Sequence, residues 1–233
     1  MRILLFIPLL LAAVFGANIY ATFDVQPFKE ANLAFNLGGI VQKVFVDVGD
    51  EVKQNQLLAA LNSDDIKANL NIAKIELKYA QKNYQRQLKA KNAIDAATLD
   101  QFSFKKELAA AKLKQIKTTL DKSLLKAPFD GVISYKNIEV GDVVPGISPK
   151  VVYKIISTHK RKLVLKFDEK YLSRVRVGDS FIYTLDGSTK KYKGKISKIY
   201  PTVDSKTRKV TAEVLADDIK VGLFGSGTIV TKD

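Results

Sequence analysis

An α+β, mainly β fold is predicted by two observations: a β-type motif occurs twice, and a helical period fills the interval between its copies. The segment Gly39 to Val52 returns as Gly131 to Val144. Gly39/Gly131, Val48/Val140, Gly49/Gly141, Asp50/Asp142 and Val52/Val144 are identical at a constant spacing of 92 residues. Ile40/Val132, Val41/Ile133 and Val46/Ile138 keep their apolar character. Each copy is rich in β-branched residues and stops at Gly-Asp, the pattern of strand, turn and strand. A second apolar stretch follows each, Leu57 to Leu61 and Val151 to Ile156. One copy cannot cover its own apolar face. The two are therefore expected to pack as halves, 37–62 and 124–157, of one small quasi-symmetric β-sandwich.

Between the halves, over 63–123, the period changes. Ile66, Leu70, Ala73, Leu77, Ala80 and Tyr84 are spaced alternately four and three residues apart. Leu99, Phe102, Ala109, Leu113, Ile116 and Leu120 keep the same rhythm, with Lys106 breaking one step. A seven-residue repeat with a narrow seam is the mark of a coiled coil. No Gly or Pro occurs from Ser63 to Ala127, and Pro128 then ends the run. Asp64 and Asp95 are expected as N-caps, and each helix should be roughly 40 Å long. Lys67, Lys74, Lys78, Lys82, Lys89, Lys105, Lys112, Lys114 and Lys117 lie off the seam, which suits a hairpin standing in solvent rather than inside a globular bundle.

The N-terminus points to export. Met1-Arg2 precedes an apolar run from Ile3 to Ala17, with small residues at Gly16, Ala17 and Ala21. Such a segment reads as a secretory signal. Stretched past Asn18 to Phe23 it reaches the ~20 residues that span a bilayer. A cleaved signal and a retained inner-membrane anchor over 1–21 both remain open, and either exports the remainder. The chain has no Cys, which excludes a lipoprotein anchor, disulfides and thiolate metal sites. The net charge of +14 is spread along the chain and suits nucleic acid, an anionic membrane or an acidic protein without choosing among them.

A β-sandwich split by a coiled-coil hairpin resembles the periplasmic adaptor, or membrane fusion protein, family of tripartite efflux pumps. Leu124-Leu-Lys-Ala-Pro-Phe-Asp-Gly-Val-Ile133, followed by Val140-Gly-Asp142, is similar to that family's second lipoyl half-motif. Lys162 to Phe167, Val177-Gly-Asp179, Tyr192 to Pro201, Val203-Asp-Ser-Lys-Thr-Arg208 and Gly222 to Val230 resemble its β-barrel domain. The resemblance implies a lipoyl-like sandwich, a lead-in barrel strand within 22–36 and a small β-barrel over 158–233. It covers roughly residues 35 to 231. Many family members continue into a membrane-proximal domain, so coupling to a transporter is expected to run through the barrel and the N-terminal anchor.

The resemblance also implies partners and contacts. These are an inner-membrane transporter (resistance-nodulation-division type first, an ATP-driven exporter second), an outer-membrane channel, the inner membrane, and a ring of copies, a hexamer by resemblance. The chain would lie in the periplasm of a Gram-negative bacterium. At the hairpin tip the family often carries Arg, Leu four residues on and Ser seven further. Those positions are Tyr84, Leu88 and Asp95 here, so only Leu88 matches, with Arg86 and Asn92 close by. Gly39, Gly49, Asp50, Gly131, Gly141 and Asp142 are expected to serve as structural turns of the two half-motifs.

No catalytic, cofactor or metal constellation is found, and an enzyme is not expected. True lipoyl carriers expose an acylated Lys where the helices here intervene. Asp64-Asp65 suits a helix dipole better than acid-base work. His159 sits among Lys160, Arg161 and Lys162 with no ligand partner in the sequence. Two readings of other classes fit the sequence less well. A nucleic-acid-binding coiled coil fits the charge but not the export signal, and an exported wall-binding module is disfavoured by the absence of Trp.

Overall fold

The computed structural model describes residues 18–90 and 95–231. The leader or anchor expected over 1–21 lies outside them up to residue 17. Among the described residues no helix is long and apolar enough to cross a membrane. The first half of the chain holds β1 (Asn18–Pro27), β2 (Glu30–Leu33), β3 (Gly39–Val44), β4 (Glu51–Val52), β5 (Leu57–Leu61) and α1 (Asp64–Lys89). After α2 (Ala96–Lys122) come β6 (Leu124–Lys126), β7 (Gly131–Lys136), β8 (Val143–Val144) and β9 (Tyr153–Ser157). The rest is β10 (Lys160–Asp168), a 3₁₀ turn at Glu169–Tyr171, β11 (Ser180–Leu185), β12 (Tyr192–Asp204), β13 (Lys209–Asp217) and β14 (Phe224–Val230). Two compact units result: Glu30–Thr158, and the segments up to Lys29 and from His159 onward.

The first unit is the sandwich with its hairpin. Its sheets run β6-β5-β3-β8 and β2-β9-β7-β4. The two orders correspond strand for strand, because β6 matches β2, β5 matches β9, β3 matches β7 and β8 matches β4. Each sheet therefore takes strands from both halves, and neither half can complete a sheet alone. The halves also exchange turns. The Gly49 N–H donates to the Ile133 carbonyl at 2.9 Å, and the Ile133 N–H returns to the Asp50 carbonyl at 3.0 Å. In the mirror pair, the Gly141 N–H donates to Val41 and the Val41 N–H to Asp142, both at 2.9 Å.

Local chemistry shapes these turns. Gly49 and Gly141 have φ of 94° and 96°, a left-handed backbone that strains any residue with a Cβ. The Asp50 and Asp142 carboxylates fold back to accept the Asp47 and Glu139 N–H groups at 2.7 and 2.8 Å. Lys136 ties the turns together, its ammonium 3.3 Å from Asp47 and 2.8 Å from Glu139. The hydrogen bonds that the ammonium donates to these two carboxylates, Glu139 first, raise its pKa. Gly39 and Gly131, expected in turns, instead open strands β3 and β7. Gly131 is there for space, since a Cβ would stand 2.4 Å from the Ile156 carbonyl oxygen.

Two boundaries move. β1 takes in Asn18 to Ala21, residues assigned above to the leader, because Ile19 and Ala21 are buried in the barrel core while Asn18 and Tyr20 face out. The lead-in over 22–36 divides as well: β1 ends at Pro27, whereas β2 pairs with β9 and Phe35 is buried in the sandwich core. The sandwich thus begins at Glu30 rather than 37.

The second unit is a closed barrel of order β1-β10-β13-β12-β11-β14. Alternate residues point inward, among them Phe23, Val25, Leu163, Leu165, Val214 and Ile229. Phe23 meets Phe181 edge-on at 5.8 Å, and Phe181 stacks on Tyr183 at 5.4 Å. A third Gly-Asp turn closes here in the same way. The Gly178 N–H donates to Ile196 at 2.8 Å, the Ile196 N–H returns to Asp179 at 2.9 Å, and the Asp179 carboxylate takes the Arg176 N–H at 2.7 Å.

The Tyr153 ring is fully buried in the sandwich, and its hydroxyl donates to the Val46 carbonyl at 3.2 Å. Burial pushes its phenol up to about 12. An unfolded tyrosine ionises near pH ~10. The folded state therefore holds the proton more tightly, and this contribution is whole below about pH 10 and lost as pH rises through about 12. Urea melts should show stability falling across that window, and Tyr153→Phe should lessen the fall after an initial loss of about 1 kcal/mol at neutral pH. An undiminished fall in the variant would place the alkaline sensitivity elsewhere.

Candidate functional site

The hairpin projects from a β-ribbon. β5 pairs with β6, and the Leu61 N–H donates to the Ser123 carbonyl at 2.9 Å just before the helices begin. At the start of α1 the N-cap is Ser63, not Asp64, and the Asn62 side chain accepts the Asp64 N–H at 3.0 Å. Asp64 and Asp65 occupy the first turn, where carboxylates complement the helix dipole. At α2 Asp95 is the N-cap, taking the Thr98 N–H at 2.7 Å and the Thr98 hydroxyl at 2.9 Å. These bonds, the backbone one first, hold its carboxyl below the usual range.

Ile66, Leu70, Leu77, Ala80 and Tyr84 are half-buried and Ala73 is buried along α1. On α2, Leu99, Phe102, Lys106, Ala109, Leu113, Ile116 and Leu120 are half-buried. Lys106 therefore continues the seam instead of breaking it. Its ammonium lies 4.3 Å from the centroid of the Tyr84 ring, where the negative face of the π-system favours a cation. Lower down, Lys112 bridges to Glu76 at 2.8 Å. These two contacts fix which residues of the helices stand at one height.

A second apolar stripe runs along the back of each helix. Ile72, Ile75 and Tyr79 on α1 are 53%, 48% and 60% exposed, and Phe104 and Leu108 on α2 are 64% and 59% exposed. Each sits two residues beyond a seam position, a rotation of about 200°, so the stripes face away from the seam on the two outer edges. The sequence reading missed them. Their four-and-three spacing was visible, but only the lysines of those faces were weighed.

A family model described as the CzcB-like, barrel-sandwich hybrid domain matches residues 29–155. The chain belongs to this family. An uncharacterised protein of Haemophilus influenzae is 27% identical over 198 residues, which cover 83% of this chain and 51% of that protein. The cobalt-zinc-cadmium resistance protein CzcB of Cupriavidus metallidurans is 27% identical over 222 residues, 88% of this chain and 42% of its own length. The chain thus spans about half the length of these relatives. Among solved structures, a MacA-MexA chimera carrying the Pseudomonas aeruginosa MexA α-hairpin superposes with a TM-score of 0.87. It shares 19% identity and covers 94% of this chain and 80% of the chimera. That likeness is one of fold. It agrees with the membrane fusion protein architecture that the sequence resembles.

Within this family frame the tip residues separate. Tyr84 is half-buried in the seam beneath Lys106, which withdraws its ring from an end-on surface. Arg86, Leu88 and Asp95 are exposed, Leu88 at 43%. Asn92 lies outside the described residues. Among the described residues no group of three or more His, Asp or Glu side chains is placed to hold a metal ion. His159 is exposed and pairs with Asp218 at 2.9 Å.

Proposed function

We propose that the chain is a non-enzymatic periplasmic adaptor linking an inner-membrane transporter, of resistance-nodulation-division type first, to an outer-membrane channel, with its hairpins standing side by side in a ring. The supporting observation is the pair of apolar stripes on opposite edges of the hairpin. A large apolar side chain left in water at regular helical spacing marks a contact surface. With one stripe on each edge, every hairpin needs a neighbour on both sides, and a closed ring of copies satisfies all of them.

The levels fixed by the Tyr84–Lys106 and Glu76–Lys112 contacts give the pairing between neighbours at one height. Phe104 comes level with the neighbour's Arg86, and Leu108 with its Lys82. Tyr79 meets Ala111, and Ile72 meets Thr118. Ile72, Tyr79, Phe104 and Leu108 thus each face a small residue or the aliphatic stem of a cation, while Ile75 comes level with Gln115. Arg86 and Phe104 also form a cation-π pair. At the upper end, Leu88 flanked by Arg86 and Asp95 supplies an apolar anchor with a polar rim, the usual makeup of a binding hot spot.

The absence of Cys makes the ring directly testable. Arg86 and Phe104 lie on opposite edges of one hairpin, so a chain carrying both Arg86→Cys and Phe104→Cys can form the disulfide only between copies. Oxidation in the periplasm should give a ladder ending at a closed oligomer, as should Lys82→Cys with Leu108→Cys. Monomers in both double variants would contradict the side-by-side arrangement.

Leu88→Asp tests the tip separately. It should lower resistance, scored against a panel of drugs and metal cations, while the melting temperature stays within about 1 °C, since an exposed residue adds little to the fold. Normal resistance at matched expression would remove Leu88 from the channel contact.

A further inference from the structure

One end of the barrel gathers β1's first residue and two loops. Asn18 pairs with Val230, and Val230 with Ser180, which directly follows the loop from Glu169 to Asp179. Asp168 pairs with Lys209 and Lys209 with Asp204, placing the β12–β13 turn at the same end. The loops are bound to each other, since the Glu169 N–H donates to the Arg208 carbonyl at 3.1 Å.

Both loops are firmly built. Asp168 caps the 3₁₀ turn through the Lys170 N–H at 3.0 Å, and Asp204 takes the Lys206 and Thr207 N–H groups at 2.9 and 3.2 Å. Val175 is buried in the barrel core, and the Gly178–Asp179 turn grips Ile196. Held this way, the long loop still leaves Leu172 41% and Val177 63% exposed. Around them stand the exposed cations Lys170, Arg174, Arg176, Lys206, Arg208 and Lys209. The exposed acids nearby are Asp168, Glu169 and Asp204, two of them engaged with backbone N–H groups. The chain reaches this end directly from the apolar run Ile3 to Ala17, with no residue between Ala17 and Asn18.

We propose that this barrel end rests on an anionic lipid surface, with Leu172 and Val177 entering the headgroup layer and the surrounding Lys and Arg side chains pairing with lipid phosphates. Apolar side chains that enter the interface beside cations that hold the headgroups are the two elements of peripheral lipid binding. A rigid loop suits the role, because no ordering cost accompanies contact. An apolar segment joined directly to Asn18 would hold the loops within reach of the bilayer. The inference rests on the reading of the N-terminal apolar run as a retained membrane anchor. It does not require the ring or the channel, so the adaptor reading can fail while this one stands.

Because the chain has no Cys, Val177→Cys and Leu172→Cys each give a single labelling site for an environment-sensitive fluorophore. Phe224→Cys does the same at the opposite end of the barrel. The full-length chain is reconstituted into vesicles of phosphatidylethanolamine with phosphatidylglycerol, and separately into phosphatidylcholine vesicles. The labels at 172 and 177 should shift to the blue and be quenched by doxyl-labelled lipid in the phosphatidylglycerol vesicles, while the label at 224 stays aqueous. Arg174→Glu with Lys206→Glu should abolish the phosphatidylglycerol-dependent part of the shift. Labels at 172 and 177 that stay aqueous overturn the proposal, as does an equal response at 224 or an equal shift in both vesicle types. A shift that appears only on adding an inner-membrane transporter would assign the surface to a protein partner instead.

Discussion

The reciprocal Gly-Asp clasp is the constraint on which the rest depends. Each half of the sandwich ends its repeat in a left-handed Gly whose N–H reaches the opposite half, and takes an N–H back on the following Asp carbonyl. Each backbone bond contributes on the order of 1 kcal/mol, a modest amount singly. Their placement matters more. Val41 and Ile133 are buried core residues of opposite halves, so a clasp cannot open without disturbing the core that both halves share. The strand exchange works in the same sense, because β4 and β8 complete the sheet of the other half.

The long hairpin takes no part in that interlock. The closure of the two halves does not pass through the helices. The helices leave from the β5–β6 ribbon, whose pairing fixes their spacing at the base. From there the seam alone sets their mutual rotation, with the Lys106 ammonium over Tyr84 filling the one step at which an apolar side chain is missing. Because rotation is fixed, the second stripes at Ile72, Ile75, Tyr79, Phe104 and Leu108 lie on defined edges rather than being scattered. The ring proposed above rests on that fixed rotation. The barrel reuses the clasp on Ile196, and there it stiffens the loop that carries Leu172 and Val177.

Much of this was legible in the sequence because the relevant signals are local and periodic. The identical Gly-Asp pairs at 92-residue spacing announced two halves, and the seven-residue rhythm announced the seam. What escaped depended on pairing at a distance. Asn18 to Ala21 look like the end of an apolar leader, and only their partners Val230 to Gly227 show that they alternate as a barrel strand. β2 carries little apolar character of its own and is defined by β9. Lys106 looked like a fault until Tyr84 was placed beneath it. Val177-Gly-Asp179 was read as part of the barrel, but its kinship with the two sandwich turns appears only in the bonds to Ile196. The tip positions were transferred by counting, and counting could not reveal that Tyr84 faces inward.

Native-state hydrogen exchange at the clasp amides tests the interlock most directly. Gly49, Ile133, Gly141 and Val41 donate the four bonds that join the halves. If the halves close only together, all four amides should exchange with one opening free energy, equal to that of global unfolding of the sandwich, and should fall together when Gly141→Ala strains one turn. Exchange of Gly141 and Val41 by local opening, while Gly49 and Ile133 keep full protection, would show that each clasp stands alone and would contradict the account.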